Sequence, residues 1–289
     1  MAQAPISLPQ PQGMGETSRT DTWWLQPLVV FVGLSAFVIY STWAAWQGAN
    51  YEWGPYLSPM YSPLLFEAGT AWGQAHPSHH SWFGAWPGWL WLPAWVPASP
   101  AFIILIFPAG FRLTCYYYRG AYYKAFWADP LNCGVGEPRN KYLGEAWFPL
   151  IIQNIHRYFF YAAAAYIFIL FYDALVATFC WDNPATPEYD RHFGVGVGTL
   201  VMFLNVYLLG GYTFGCHSLR HLIGGKKDHM SEAFLGGKAY RCVSCLNRKH
   251  MLWAWCSLIW VGFTDFYIRM VAAGHWTDLK LIGEAFSYG

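Results

Sequence analysis

Apolar runs long enough to cross a bilayer alternate with short polar stretches along the chain. A helix needs about 20 apolar residues to span the hydrocarbon core. The first run, Leu28 to Trp46, reads LVVFVGLSAFVIYSTWAAW, with no charged residue between Asp21 and Glu52. A second, over residues 101–118, opens AFIILIFPAGF and is short and interrupted by proline. The third covers 149–180 around YFFYAAAAYIFILFY, the fourth 195–222 with VGVGTLVMFLNVYLLGGYTFG, and the fifth 250–273. The pattern predicts an all-α integral membrane protein, a bundle of about five transmembrane helices. The glycines of the fourth run suit close helix approach. Residues 47–100 hold no Lys or Arg, and WFGAWPGWLWLPAWVPASP carries proline too often for a continuous helix. This Trp/Pro-rich stretch reads as an interfacial or re-entrant loop covering the outer surface.

Composition agrees. Of 289 residues, 55% are hydrophobic and 11% charged, where soluble domains carry about 25% charged residues. The net charge of +1 suggests neither nucleic acid nor an acidic partner, and 18 Trp suit interfacial belts. Residues 1–24 form a polar, Pro/Gln-rich head that reads as disordered and lacks the basic and apolar regions of a signal peptide. The layout is therefore head 1–24, membrane domain 25–275 and tail 276–289.

Basic residues set the orientation. With a cytoplasmic N-terminus, 14 of the 17 Lys and Arg fall inside, leaving only Arg191, Arg269 and Lys280 outside. The expectation is a multi-pass inner-membrane protein with its N-terminus cytoplasmic and its C-terminus outside.

That topology collects soft ligands at the cytoplasmic ends of the helices. Cys115 ends the second run, Cys133 follows in the loop, and His156 opens the third. Cys216, His217 and His221 end the fourth, Cys242 and Cys245 form a CxxC in the next loop, and His250 opens the fifth. A cofactor in a bundle takes its ligands from facing helices. Individually each residue has a plainer role, because a lone membrane Cys is usually a packing residue and a terminal His an interfacial side chain. Thiolates together with imidazoles suit zinc or iron–sulfur chemistry. Two Cys on one iron and two His on the other is the Rieske arrangement, which raises the potential. Haem b, held by two His, leaves the cysteines without a role.

The motifs FRLTCYYYRGAYYKAFW, NIHRYFFYAAAAYIF, GYTFGCHSLRH, LNRKHM and TDFYIRMVAAG resemble the single-chain membrane anchor of an actinobacterial class of succinate dehydrogenase (respiratory complex II). The likeness spans roughly residues 100–275. It implies a five-span anchor within succinate:quinone oxidoreductase, with the dehydrogenase active site on partner subunits. Flavoprotein and iron–sulfur partners would dock on the cytoplasmic face. Electrons would pass to quinone through a Rieske-type 2Fe–2S cluster in place of haem. The resemblance includes Cys115, Cys133, His156, Cys216, His217, His221 and His250. One ligand per helix gives Cys115, His156, Cys216 and His250, with Cys133, His217 and His221 in reserve. Homo-oligomerisation of the whole complex stays open.

Asp173 and Asp265 lie within the third and fifth runs, nearer the outer surface, where a carboxylate is costly and marks function by default. Asp265 and Arg269 stand four residues apart, the spacing of a helical ion pair. The competing expectation is a quinone or proton-linked site with Tyr172 or Tyr267 as donor. Other classes compete: a transporter or purely structural subunit whose Cys and His are incidental, a haem b quinone oxidoreductase anchor, and a membrane di-iron enzyme built on HPSHH (His76, His79, His80) and on His217/His221. The basic-residue count argues against the di-iron enzyme by putting HPSHH outside.

Overall fold

The computed structural model describes residues 13–68, 78–90, 93, 96–139, 144, 146–148, 150–179, 181–182, 191–224 and 234–282. His76, Cys180 and His229 fall outside these residues. Four helices have the length and apolarity of spans: α1 (Leu25–Gln47), α5 (His156–Phe179, entered through the 3-10 turn Leu150–Ile155), α6 (Val197–Phe214) and α9 (His250–Ala272). A fifth is made if the broken pair counts as one: α2 (Ala101–Ile104) and α3 (Ile106–Thr114) lead into α4 (Tyr116–Phe126), bent by 81° at Cys115. The expected all-α bundle is thus observed, with three short two-stranded pairings among the described residues. Lipid-type side chains such as Phe168, Tyr172 and Ile259 stay exposed, as membrane helices require.

Two further helices depart from the pattern of apolar runs. The fourth span stops at Phe214 instead of reaching residue 222, because Gly215 and Cys216 interrupt the ladder before α7 (His217–Gly224) begins. The CxxC stretch is helical, within α8 (Phe234–Arg248), not a loop. Its polar and apolar residues alternate at helical spacing, which the search for uncharged runs passes over.

The chain divides into two compact units. The first comprises residues 1–38 and 112–156. Here residues 13–24 of the head, expected to be disordered, are ordered. Gly15 N–H donates to Gly136 O at 2.9 Å and Gly136 N–H to Glu16 O at 2.8 Å, while Thr17 Oγ1 donates to Gly134 O at 2.7 Å. Arg19 reaches the Cys133 carbonyl at 2.8 Å and pairs with Asp21. Backbone groups facing a partner loop satisfy one another whatever the side-chain composition, so polarity alone did not reveal this order.

The second unit comprises residues 39–111 and 157–289. Its most extensive packing is α6 against α9. The glycines of α6 accept aromatic rings: a Cβ at Gly211 would overlap the Trp253 indole, and one at Gly198 the Tyr56 ring. The first part of the segment after α1, residues 51–68, expected to cover the surface, is largely core, whereas Trp82, Phe83 and Trp89 further along stay exposed. Tyr56, Tyr61 and Leu64 are fully buried. Strands β1 (Glu52–Trp53) and β2 (Tyr56–Leu57) make its hairpin. No helix occurs among the described residues of 48–100. The tail also returns. Strand β4 (Lys280–Ile282) pairs with β3 (Val195–Gly196), just ahead of α6.

Candidate functional site

Each of the four preferred ligand residues stands where a helix begins or breaks. Cys115 is extended (φ −65°, ψ 134°) and caps α4, directly after the last residue of α3. His156 is the first residue of α5, Cys216 lies between α6 and α7, and His250 is the first of α9, following the cap Lys249. At a break the ladder no longer dictates side-chain spacing, so a side chain can be aimed independently of its helix. Cys115 and Cys216 are both buried.

Within the first unit, Thr114 Oγ1 and His156 Nδ1 are 2.8 Å apart, which brings the Cys115 break next to the start of α5. The same stretch is braced by Arg119, whose Nη1 donates to Gln153 Oε1 at 2.6 Å and whose guanidinium lies over the Tyr116 ring at 4.3 Å. Within the second unit, Asn247 Nδ2 donates to Gly215 O at 2.8 Å, and the Tyr212 ring stacks on His250 with centroids 4.9 Å apart. Those contacts draw the Cys216 break to the start of α9. Each unit therefore holds one buried thiol and one imidazole at adjoining helix ends. Among the described residues, no group of three or more His, Cys, Asp and Glu is placed to hold a metal ion. Cys115 and His156 belong to the first unit, Cys216 and His250 to the second.

The reserve residues are disposed differently. Cys133 is exposed, and its carbonyl serves Arg19. His217 and His221 face each other on α7, with Nε2 atoms 2.8 Å apart. Cys242 and Cys245 are exposed on α8, and Arg248 Nη2 lies 3.5 Å from Cys245 Sγ. Arg220 is held by Tyr240, its Nε donating to the phenol oxygen at 3.0 Å.

Asp265 and Asp173, both in the second unit, each have partners of their own. Arg269 Nε donates to Asp265 Oδ2 at 2.7 Å, the i,i+4 pair expected from spacing, and both side chains are almost wholly buried. Tyr40 donates to the same carboxylate at 2.6 Å, and the Ser58 hydroxyl also bonds it. The remaining Arg269 donors go to Ala49 O (2.7 Å) and Ala44 O (3.0 Å). Asp173 accepts from the Ser62 hydroxyl. Tyr267 joins neither; it donates to Asp278 Oδ1 at 2.6 Å.

Asp278 is the residue that sequence reasoning missed. It also accepts from Tyr56 OH at 2.8 Å and from Gly198 N–H at 2.8 Å, so a carboxylate meets the positive N-terminal end of α6. Burial, and then Asp278, raise the Tyr56 phenol far above its ordinary range and keep it a donor. The usable signal was an aspartate in a short tail beside an uncapped glycine start. Tyr56, Ser58 and Ser62 recur along one segment, and each is held by a carboxylate from a different part of the unit.

A family model described as "Actinobacterial succinate dehydrogenase subunit SdhC" matches residues 25–274. No curated protein sequence matches. Among solved structures, a chain of the "Mycobacterium smegmatis Sdh1 complex in the apo form" is similar, with 44% identity and a TM-score of 0.80; the match covers 97% of this chain and 98% of that one.

Proposed function

Because the chain belongs to the actinobacterial succinate dehydrogenase SdhC family, it is a membrane subunit of that enzyme, and we propose that it relays electrons from a docked iron–sulfur subunit to quinone through a Rieske-type 2Fe–2S cluster. The dehydrogenase active site belongs to other subunits. The observation that carries the cluster reading is the occurrence of one buried thiol and one imidazole at adjoining helix ends in each unit. A mixed thiolate–imidazole set suits iron–sulfur ligation.

In this reading Cys115 and Cys216 would hold such a cluster as thiolates, and His156 and His250 would hold it as imidazoles. A bound cluster of this kind supplies one-electron transfer at a potential of about −150 to +300 mV, above that of an all-Cys cluster. Thr114 engages Nδ1 of His156, which would leave Nε2 as the nitrogen to meet such a cluster. Tyr212 fixes the plane of the His250 ring by stacking. Arg119 and Arg220, restrained by Gln153 and Tyr240, bring positive charge to the neighbouring stretches.

Quinone reduction also consumes protons. Asp265, Arg269 and Tyr267 are saturated by partners within the chain and act as clamps on the segment after α1. Asp173 has the Ser62 hydroxyl as its hydrogen-bond partner and the His80 imidazole as an electrostatic neighbour, and it is the carboxylate we assign to proton exchange with the quinone pool. The N-terminus is taken as cytoplasmic and the C-terminus as outside, on the strength of the 14 to 3 division of Lys and Arg. That puts the Cys/His helix ends on the side where the flavoprotein and iron–sulfur subunits dock.

The test is to purify the complex with its native partners and measure non-haem iron, acid-labile sulfide and haem. The reading expects two irons and two sulfides beyond the content of the isolated soluble subunits, all lost from a Cys115→Ser/Cys216→Ser double variant. Haem without the additional iron and sulfide would overturn it.

A further inference from the structure

We propose that His217 and His221 form a two-imidazole site on the exposed face of α7 for a divalent transition-metal cation of the Zn2+ or Cu2+ class, separate from the Cys115, His156, Cys216 and His250 set. The two residues stand one helical turn apart, so their side chains project from one face. Both are exposed. Their Nε2 atoms are 2.8 Å apart and the rings are nearly perpendicular, with centroids 4.4 Å apart.

That geometry is close to a chelating bite. With metal–nitrogen bonds of about 2.0–2.1 Å, two imidazole nitrogens on one ion stand about 2.9 Å apart at a right angle and about 3.4 Å apart at the tetrahedral angle. Opening the present separation by a few tenths of an ångström admits the ion at the apex of the pair, with water completing its shell. One of the two nitrogens must lack its proton for the contact at 2.8 Å, so one lone pair is already directed at the partner ring.

The surroundings favour this site over a larger one. Arg220, the nearest fixed cation on α7, is turned to Tyr240 of α8, its guanidinium 5.2 Å from that ring, and so does not occupy the imidazole face. HxxxH followed by CxxC suggests a four-ligand zinc site on paper. Tyr240 and Asn247 mark the face of α8 that meets the α7 stretch, through Arg220 and the Gly215 carbonyl, while Cys242 and Cys245 are exposed. With nitrogen as its only protein donor, the pair selects Cu2+ first and Zn2+ or Ni2+ next, and discriminates against Mg2+ and Ca2+.

The experiment uses the intact purified complex, stripped of loosely bound metal and then equilibrated with Zn2+. Wild type is expected to take up one more equivalent per anchor chain than His221→Ala or His221→Gln, with affinity at that site reduced more than about tenfold by either change. His275→Ala, which removes another exposed imidazole, should match wild type. Equal uptake by wild type and both His221 variants would overturn the proposal. Should neither variant assemble, Cu2+ added to wild type decides: hyperfine structure from two imidazole nitrogens supports the site, and its absence overturns it. Neither readout passes through the iron–sulfur reading, so the two can fail separately.

Discussion

Helices α5 and α9 each carry two kinds of residue that a membrane normally excludes, and the two ends treat them differently. Each begins at a histidine, His156 or His250, beside a broken helix that supplies a buried cysteine. Towards its other end each holds a buried carboxylate, Asp173 or Asp265. The Asp265 end is closed: its carboxylate finds an arginine, a tyrosine and a serine within the same unit. The cysteine ends hold soft ligands in twos. Intramembrane polarity by itself therefore does not mark chemistry; what separates structure from function is whether the partners are hard, mutual and complete.

The largest test of this contrast falls on the closed end. Asp265→Ala strands Arg269 in a nearly dry site, and breaking a buried pair in this way typically costs about 3–5 kcal/mol. The variant is expected to lose most assembled complex, measured as yield and melting temperature in detergent. Near-normal assembly would show that the cluster at Asp265 is not what holds the segment after α1. At the other end, Cys216→Ser should leave assembly largely intact and lower succinate:quinone reduction by more than about 100-fold, since even residues behind a ligand change function 10–100-fold. Succinate oxidation by a soluble acceptor should persist. Retained quinone reduction would remove Cys216 from the electron path.

Smaller effects sharpen the same boundary. Gly198→Leu drives a side chain into the Tyr56 ring and should destabilise by about 1–3 kcal/mol. Tyr56→Phe removes one of three donors to Asp278 and should cost about 1 kcal/mol, because Tyr267 and Gly198 N–H remain. The smallest lies at the surface. Arg19 lowers the Asp21 carboxyl below its usual value, so the pairing is present above the unfolded-state value and is lost as pH falls through the folded one. Asp21→Asn should abolish that acid dependence without a resolvable change at neutral pH.

How much of this was legible beforehand follows from what each signal measures. Long apolar runs located α1, α5, α6 and α9, since the bilayer demands length and apolarity. The same rule could not see α8, whose pattern is amphipathic, nor the burial of Tyr56, Tyr61 and Leu64, because proline-rich coil has no periodicity to read. Spacing foretold the Asp265–Arg269 pair, a contact within one helix. It could not give Asp278, whose partners Tyr56 and Gly198 lie 222 and 80 residues away. Cys115 and Cys216 were noticed for their chemistry; that both sit at breaks emerged from the backbone, although Gly215 was a readable hint beside one of them.

The most direct measurement is pulsed EPR on the reduced, purified complex, looking for nitrogen coupled to a 2Fe–2S signal beyond those of the soluble subunits. The account predicts a signal with two directly coordinated imidazole nitrogens, one of which disappears in His156→Cys and the other in His250→Cys. A complex whose every cluster signal lacks strongly coupled nitrogen, with haem as the sole membrane chromophore, would contradict it.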